Sequence, residues 1–510
     1  MKKSCLYLIL LVMSCSIIFA GTAPVPPVKK TWVYAKDPAE GLVGDGVTDE
    51  TTAFRAFLAK AKGKVAILDT NVTYLLTDSV ALPEGTELDG RGSTLRFIGY
   101  NTRYLCLESH TTLKNTKVIA STDMAHQTEA MDASYGAAIL IGDYGTGAGF
   151  HDISIDNVTI SASRIGGDGL LITGNSYNID IRNIYVPNND SMWCPIAGHW
   201  GNASAAHWLS EGDTVTTHPH NINITNVAID SLGYTATSGI GLRGCYGVTI
   251  SNVDIKQCKK AIDIGVGDYG YFYADPLLYD TSIFAGQGIT VKNVESWSDS
   301  IGVYVSGRTL RTPVVRNYDM PGRFENITSI GEPTTPGDGL FIDFCSNVEF
   351  YGCKIHKHLN GADPVGAGVS NISFRSCEFS DNSSYGIVVS YPNVPYPDAI
   401  LIEGCKFARN AAAHGVYIRY AKQVTVIGNT FGDEGETIQS YGLYLVSGTD
   451  SLRAVIAFNY IRAHDTSNAA YGGFRFTTKP SVWFGNTAHA GYRVYATAST
   501  VALDSIPNGI

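Results

Sequence analysis

Apolar and polar residues alternate along most of this chain with a period of two, and a single asparagine or cysteine cuts the alternation into short runs. Ile153-Ser-Ile-Asp-Asn-Val, Ile222-Asn-Ile-Thr-Asn-Val and Val424-Thr-Val-Ile-Gly-Asn show the pattern, with apolar side chains at alternate places as in a half-buried strand. The punctuating residue recurs at Asn157, Asn183, Asn226, Asn252, Asn293, Asn326, Cys353, Cys377, Cys405, Asn429, Asn459 and Asn486. Several steps span 24 to 28 residues, and the longer ones carry insertions. A strand-forming unit repeated at that interval predicts a solenoid whose turns stack on one another. Equivalent positions of successive turns then lie about 4.8 Å apart, so a buried asparagine amide can bond its neighbour in the ladder. The three cysteines are read as compact apolar fillers of the same corner. The expected fold is all-β, a single-stranded right-handed parallel β-helix.

Before the repeat comes Gly44-Asp-Gly-Val-Thr-Asp49, followed by a segment in which Thr48 or Asp49 can cap a helix. Ala53, Phe54, Phe57, Leu58 and Ala61 form its apolar face, and Val65-Ala-Ile-Leu68 reads as a short strand. An open solenoid end needs such a cover. The Gly44–Asp49 motif, with a helix and then a β-helix behind it, resembles the pectate lyase superfamily. That group includes polysaccharide lyases, rhamnogalacturonase- and epimerase-like proteins and phage tailspike depolymerases. The resemblance implies action on a polysaccharide and, through the tailspike members, a homotrimer. It does not select one reaction.

Met1-Lys2-Lys3, the apolar run Cys5 to Phe19 and Ala20-Gly-Thr-Ala23 read as a secretory signal cleaved after Ala20, or as late as Ala23. The domain reading is a signal at 1–20, a linker at 21–43, the cap and first coils at 44–100 and the β-helix at 101–510. The protein is expected to be secreted or at the cell surface, with the periplasm as an alternative. Lipid anchoring at Cys15 is disfavoured by the apolar Ile17-Ile-Phe that follows. No later segment has the length of a membrane span. Eight cysteines remain in the mature chain, and their pairing does not follow from their number. The net charge of −10, about −12 once Lys2 and Lys3 are removed, makes nucleic acid a poor partner.

A second column precedes the asparagines, as in Gly169-Leu-Leu-Ile, Gly302-Val-Tyr-Val, Gly339-Leu-Phe-Ile and Gly415-Val-Tyr-Ile. The first and third residues after the glycine face the core, and the second and fourth face out. One sheet face therefore bears Arg243, Asp263, Tyr304, Asp343, Tyr417, Arg419, Tyr444 and Arg475. Aromatic rings and arginines suit a sugar chain with carboxylate groups. Three insertions flank these coils. One carries His199, Trp200, His207 and Trp208, the next Tyr269, Tyr271 and Tyr273, and the third Arg308 and Arg311. The late coils, with Tyr444, Arg475, Arg493 and Tyr495, suit either a sugar groove or a contact between chains.

Two chemistries fit this face. Hydrolysis needs two carboxylates flanking a glycosidic bond, and Asp263 with Asp343 is the best outward pair, roughly 12 Å apart at the β-carbons from strand spacings. Asp168-Gly169 and Asp338-Gly339 are alternatives, similar in one respect to an Asp-Gly pair that carries a catalytic acid in β-helix polygalacturonases. β-Elimination needs a cation to neutralise a uronate and a base beside it, for which Arg243, Lys260 and Tyr304 are candidates. No compact set of acids on neighbouring coils supports calcium, and no cofactor is expected. Hydrolase is placed slightly ahead of lyase. A third reading is a non-catalytic carbohydrate-binding protein, an adhesin or a tailspike-like fibre.

Overall fold

The computed structural model describes residues 31–98, 103–120, 137–142, 148–162, 168–187, 192–199, 218–230, 238–265, 288–307, 318–332, 336–365, 369–390, 392, 396–410, 414–433, 441–446, 452–462, 472–477, 480–488 and 494–496. Among them, 38 strands join in one continuous sheet, and the strand pairings are parallel between coils, as in His151–Ala162 against Tyr177–Val186. Each strand bonds the equivalent strand one turn away, which is the topology of a parallel β-helix. No described helix is long and apolar enough to cross a membrane.

The helix α1 (Thr51–Lys60) buries Phe54, Phe57 and Leu58 at the start of the coil stack, where the Phe54 ring lies 5.5 Å from that of Tyr74. Its first turn differs in detail from the expected cap. Glu50 holds the cap position, but its carboxylate turns back to the Val43 and Gly44 amides. Asp49, one residue earlier, accepts from the Thr51 amide at 3.0 Å and the Thr51 hydroxyl at 2.6 Å. Asp45 closes the preceding turn on the Val47 and Thr48 amides, both at 2.8 Å, and Gly46 at φ +72° permits that turn. The acids of the Gly44–Asp49 motif thus hold backbone in place.

The core is a set of stacked columns. Phe324, Phe350 and Phe374 stack at 4.9 and 5.4 Å, and Phe379, Phe407 and Phe431 at 5.4 and 5.1 Å. Each buried ring contributes roughly 1.5–3 kcal/mol relative to exposure. All eight described cysteines are free thiols.

The asparagine–cysteine series is not one ladder. Asn157, Asn183, Asn226, Asn252, Asn293 and Asn326 are exposed corners in the left-handed region, at φ 53° to 56°. Asparagine adopts that region at less cost than most residues. In later coils the same left-handed corner is Gly352, Ser376, Gly404, Gly428, Phe458 and Gly485. Cys353, Cys377, Cys405, Asn429, Asn459 and Asn486 each sit one residue further on. The first five point into the interior and are buried, while Asn486 is part-buried at the end of the column. The expectation of a single buried ladder is corrected by that one-residue offset, which exchanges inside for outside.

Candidate functional site

One face of the helix runs through Asp168–Ile172, Cys194–Gly198, Ile240–Arg243, the C-terminal part of Tyr246–Gly265, the C-terminal part of Ile289–Ser306, Leu340–Asp343 and Ala362–Val365. In five of these runs a glycine, Gly169, Gly239, Gly302, Gly339 or Gly361, sits where backbone and core side chains crowd, with Pro195 and Ala261 in the other two. A Cβ at Gly339, for example, would lie 2.1 Å from the Ile355 side chain. Beyond the glycine the pleat alternates. Leu170, Ile172, Ile262, Ile264, Leu340 and Ile342 enter the main core. The intervening residues form an outer column in register, Leu171, Ala197, Gly241, Asp263, Tyr304, Phe341 and Asp363. A second outer column runs Arg243, Gly265, Ser306 and Asp343.

These outer residues are not an open, solvated surface. Arg243, Asp263, Tyr304 and Asp343 are 7%, 5%, 5% and 4% exposed, so each charge is felt through a medium less polar than water. Leu171, Cys194 and Ala197 pack with Ala137 and Leu140 into a small apolar cluster outside the main core. Asp168 borders that cluster and contributes, after burial, to raising the Cys194 thiol.

Two charged centres adjoin on this face. In the first, Arg243 and Lys260 both grip Asp263, the lysine at 3.0 Å, and Ser238 donates to the same carboxylate at 3.2 Å. Gly265 leaves room for the arginine, since a Cβ there would lie 2.5 Å from Nη1. Burial alone would raise Asp263, but Arg243 and then Lys260 outweigh it and hold the carboxyl below its ordinary range. Lys260 Nζ lies 4.1 Å from the Tyr304 ring centroid and the Arg243 guanidinium 5.4 Å from it. Two cations thus converge on one carboxylate beside the Tyr304 ring.

The second centre is acidic. Tyr304 stacks on Phe341 at 5.3 Å, and Asp363 is the next residue in that column. One oxygen of Asp363 is buried with no hydrogen-bond partner. Burial, then the charges of Asp338 and Asp343, push this carboxyl up to about 8. Asp338 accepts from Asn360 Nδ2 at 2.8 Å, and burial raises it against that bond. Asp343 lies one coil before Asp363 and two residues along, being in register with Val365, so strand spacings put their β-carbons about 8 Å apart.

The structure therefore brings Arg243, Lys260, Asp263 and Tyr304 together and places Asp343 two coils from Asp263. Asp168 stands apart, in register with Cys194. His199 follows the strand that pairs with Ile240–Arg243, one residue beyond Gly198. Trp200, His207, Trp208, Tyr269, Tyr271, Tyr273, Arg308 and Arg311 lie outside the described residues. Further along the face, Tyr417 stacks on Tyr385 at 5.3 Å and meets Tyr444 at 5.4 Å, while Arg419 is exposed and lies over Tyr420. Arg475 lies over the Tyr444 ring at 4.6 Å.

Asp363 was missed by the outward reading although the signal was present. Gly361-Ala-Asp-Pro-Val365 falls between Gly339 and Gly386 at the coil interval, but Pro364 and the small Ala362 disguise it as a loop. The acidic trio does not converge on a shared cation. The described side chains that come within such reach are His110, His151 and Asp152, several coils away.

Residues 277–461 match the family model for a right-handed β-helix region. No curated protein is significantly similar in sequence. Among solved structures, the N-terminal fragment of bacteriophage phi29 gene product 12 is 13% identical, with TM-score 0.53 over 91% of this chain and 71% of that one. The A-module of a mannuronan C-5 epimerase from Azotobacter vinelandii is 14% identical, with TM-score 0.41 over 89% of this chain and 99% of that one. The catalytic unit of a GH87 alpha-1,3-glucanase from Streptomyces thermodiastaticus is 12% identical, with TM-score 0.45 over 93% and 71%. At these identities the likeness is one of fold. The right-handed parallel β-helix expected from the repeat is the fold of this chain.

Proposed function

We propose that this chain is an exported enzyme that hydrolyses an acidic polysaccharide, with Asp363 as proton donor and Asp343 as the base that activates water. The observation that carries the reading is Asp363 itself, a carboxyl kept protonated at neutral pH by burial and by two acidic neighbours. A general acid needs that state, and β-carbons about 8 Å apart allow the two carboxyl groups the ~6.5–9.5 Å spacing of an inverting hydrolase. Phe341, partly exposed and backed by the buried Tyr304 ring, offers a face for sugar stacking beside the pair. The arginine and lysine of the neighbouring centre are groups of the kind that bind a uronate carboxylate. The apolar, signal-like N-terminus supports export, and the polysaccharide class rests on this chemistry together with the resemblance of the opening motif.

The position of Tyr304 under Lys260 and Arg243 supports a second reading, β-elimination, in which the cations neutralise a uronate and the phenolic oxygen takes the adjacent proton. One assay separates the readings. The mature chain is incubated with acidic and neutral polysaccharides while reducing ends and unsaturated-uronate absorbance are followed together. Reducing ends without absorbance, abolished in Asp363→Asn, are expected. Absorbance rising with the ends gives the reaction to the lyase, and binding without any new ends leaves a carbohydrate-binding protein.

A further inference from the structure

In the early coils, away from both charged centres, His110, His151 and Asp152 bring three metal-ligating atoms within 4.8 Å of one another. His151 Nδ1 lies 2.9 Å and His110 Nδ1 3.3 Å from the same oxygen, Oδ2 of Asp152. A tetrahedral ion with bonds near 2.05 Å sets its ligand atoms about 3.3 Å apart. Two of the three separations, 2.9 and 3.3 Å, are near that value, and all three atoms lie within 4.8 Å of one another, so small side-chain rotations would complete the set.

The surroundings fix each donor. Asn178 Nδ2 donates to Oδ1 of Asp152 at 3.0 Å and leaves Oδ2 for the imidazoles. The His151 ring stacks on Tyr177 at 4.8 Å, Tyr177 on His220 at 5.1 Å and His220 on Tyr246 at 4.8 Å. His110 meets His151 edge to face at 4.7 Å, and its amide donates to the His151 carbonyl at 2.8 Å. The Asn178 bond is the kind that orients a carboxylate ligand in a metal site, while the ring contacts restrict how the imidazoles turn. His110, His151 and Asp152 side chains keep 50%, 30% and 44% of their exposure, enough for an ion to reach them and keep water in a fourth position.

We propose that His110, His151 and Asp152 are a binding site for a divalent transition-metal ion of the zinc class, with two imidazole nitrogens and one carboxylate oxygen as protein ligands. Nitrogen donors favour such an ion over calcium or magnesium, which take oxygen. The ion clamps together two adjacent coils whose paired residues, Ser109 and His151, are 42 positions apart in sequence. Cross-linking a long excursion restrains the unfolded chain, so the expected consequence is structural.

The test uses the untagged full chain, stripped with a chelator and titrated with zinc chloride by calorimetry, with zinc-edge X-ray absorption on the loaded protein. One zinc per chain with two imidazoles in its shell, and a melting temperature raised by several degrees, is the expected result. His151→Gln and His110→Ala should each weaken binding at least 10-fold, and Asn178→Ala about 10-fold by freeing the carboxylate. Circular dichroism checks that the variants fold; should they not, the imidazole count on the native chain decides alone. No stoichiometric zinc, sulfur ligation, or affinity unchanged in folded variants overturns the proposal.

Discussion

Asp263 and Asp363 occupy the same outer column one coil either side of one aromatic pair, yet the fold treats them in opposite ways. Both lose water. Asp263 gains Arg243 and Lys260 and stays ionised, whereas Asp363 gains Asp338 and Asp343 and keeps its proton. Burial raises either carboxyl, and the sign of the neighbouring charge decides the outcome. A charged residue on the outer face therefore says little about its role until its lateral neighbours are known.

The largest test of that contrast is Asp363→Asn. It should lower turnover by about 10²–10⁴-fold, the usual contribution of a general acid. Its stability should hold or rise at neutral pH, because an amide matches the protonated form. Chemical denaturation beside a turnover assay checks both.

A pH series sharpens it. With the folded value near 8 and the ordinary value at 3.8, the folded state holds a proton that the unfolded chain has released. Stability therefore falls as pH rises from about 4 to 8, and turnover falls beyond about 8 as the acid is lost. Asp363→Asn should flatten the first trend. Melting curves and rate profiles across that range read both.

Arg243→Met attacks the other side. Removing one cation from a buried pair costs about 3 kcal/mol, as the carboxylate stays buried with less compensation. Arg243→Met with Asp263→Leu should recover much of the loss. A recovery that fails would mean the arginine acts mainly through Tyr304.

The smallest effects lie in the corners. Asn252→Ala removes a ladder bond and strains a left-handed position, at about 1–3 kcal/mol. Asn252→Gly should cost less, since glycine tolerates φ +56°. At Asn429, whose amide serves the buried column, glycine should bring no such relief. Asn429→Cys should be milder than Asn429→Ala, because a thiol fills the corner that Cys405 fills one coil earlier. Unfolding free energies of the five variants check the pattern.

The fold was legible because a solenoid writes its period into the sequence, and because Gly169, Gly302 and Gly339 set the phase of the outer face. The inside–outside offset was harder to read. Asn326-Ile and Cys353-Lys end similar apolar runs, and only the residue before the cysteine, Gly352, shows that the left-handed corner has moved. Of the site, the cationic centre could be read from side-chain alternation along Arg243, Asp263 and Tyr304. Its buried ion pairs could not, because they depend on bonding across coils that no local pattern reports. Asp363 was hidden by Pro364, a residue that argues against a strand unless the coil interval is counted through it.

The outer asparagine corners also have a direction. Asn326 donates to Asn293, Asn293 to Asn252, Asn252 to Asn226, Asn226 to Asn183, and Asn183 to the carboxylate of Asp156. Inside the later coils the order is reversed, Asn429 donating to Asn459 and Asn459 to Asn486. The outer run is a series of amide dipoles discharging onto an anion, each polarising the next. It acts as a one-way electrostatic wire along the axis, anchored at the Asp156 end. A complete coil added within it would lengthen the wire without changing its terminus.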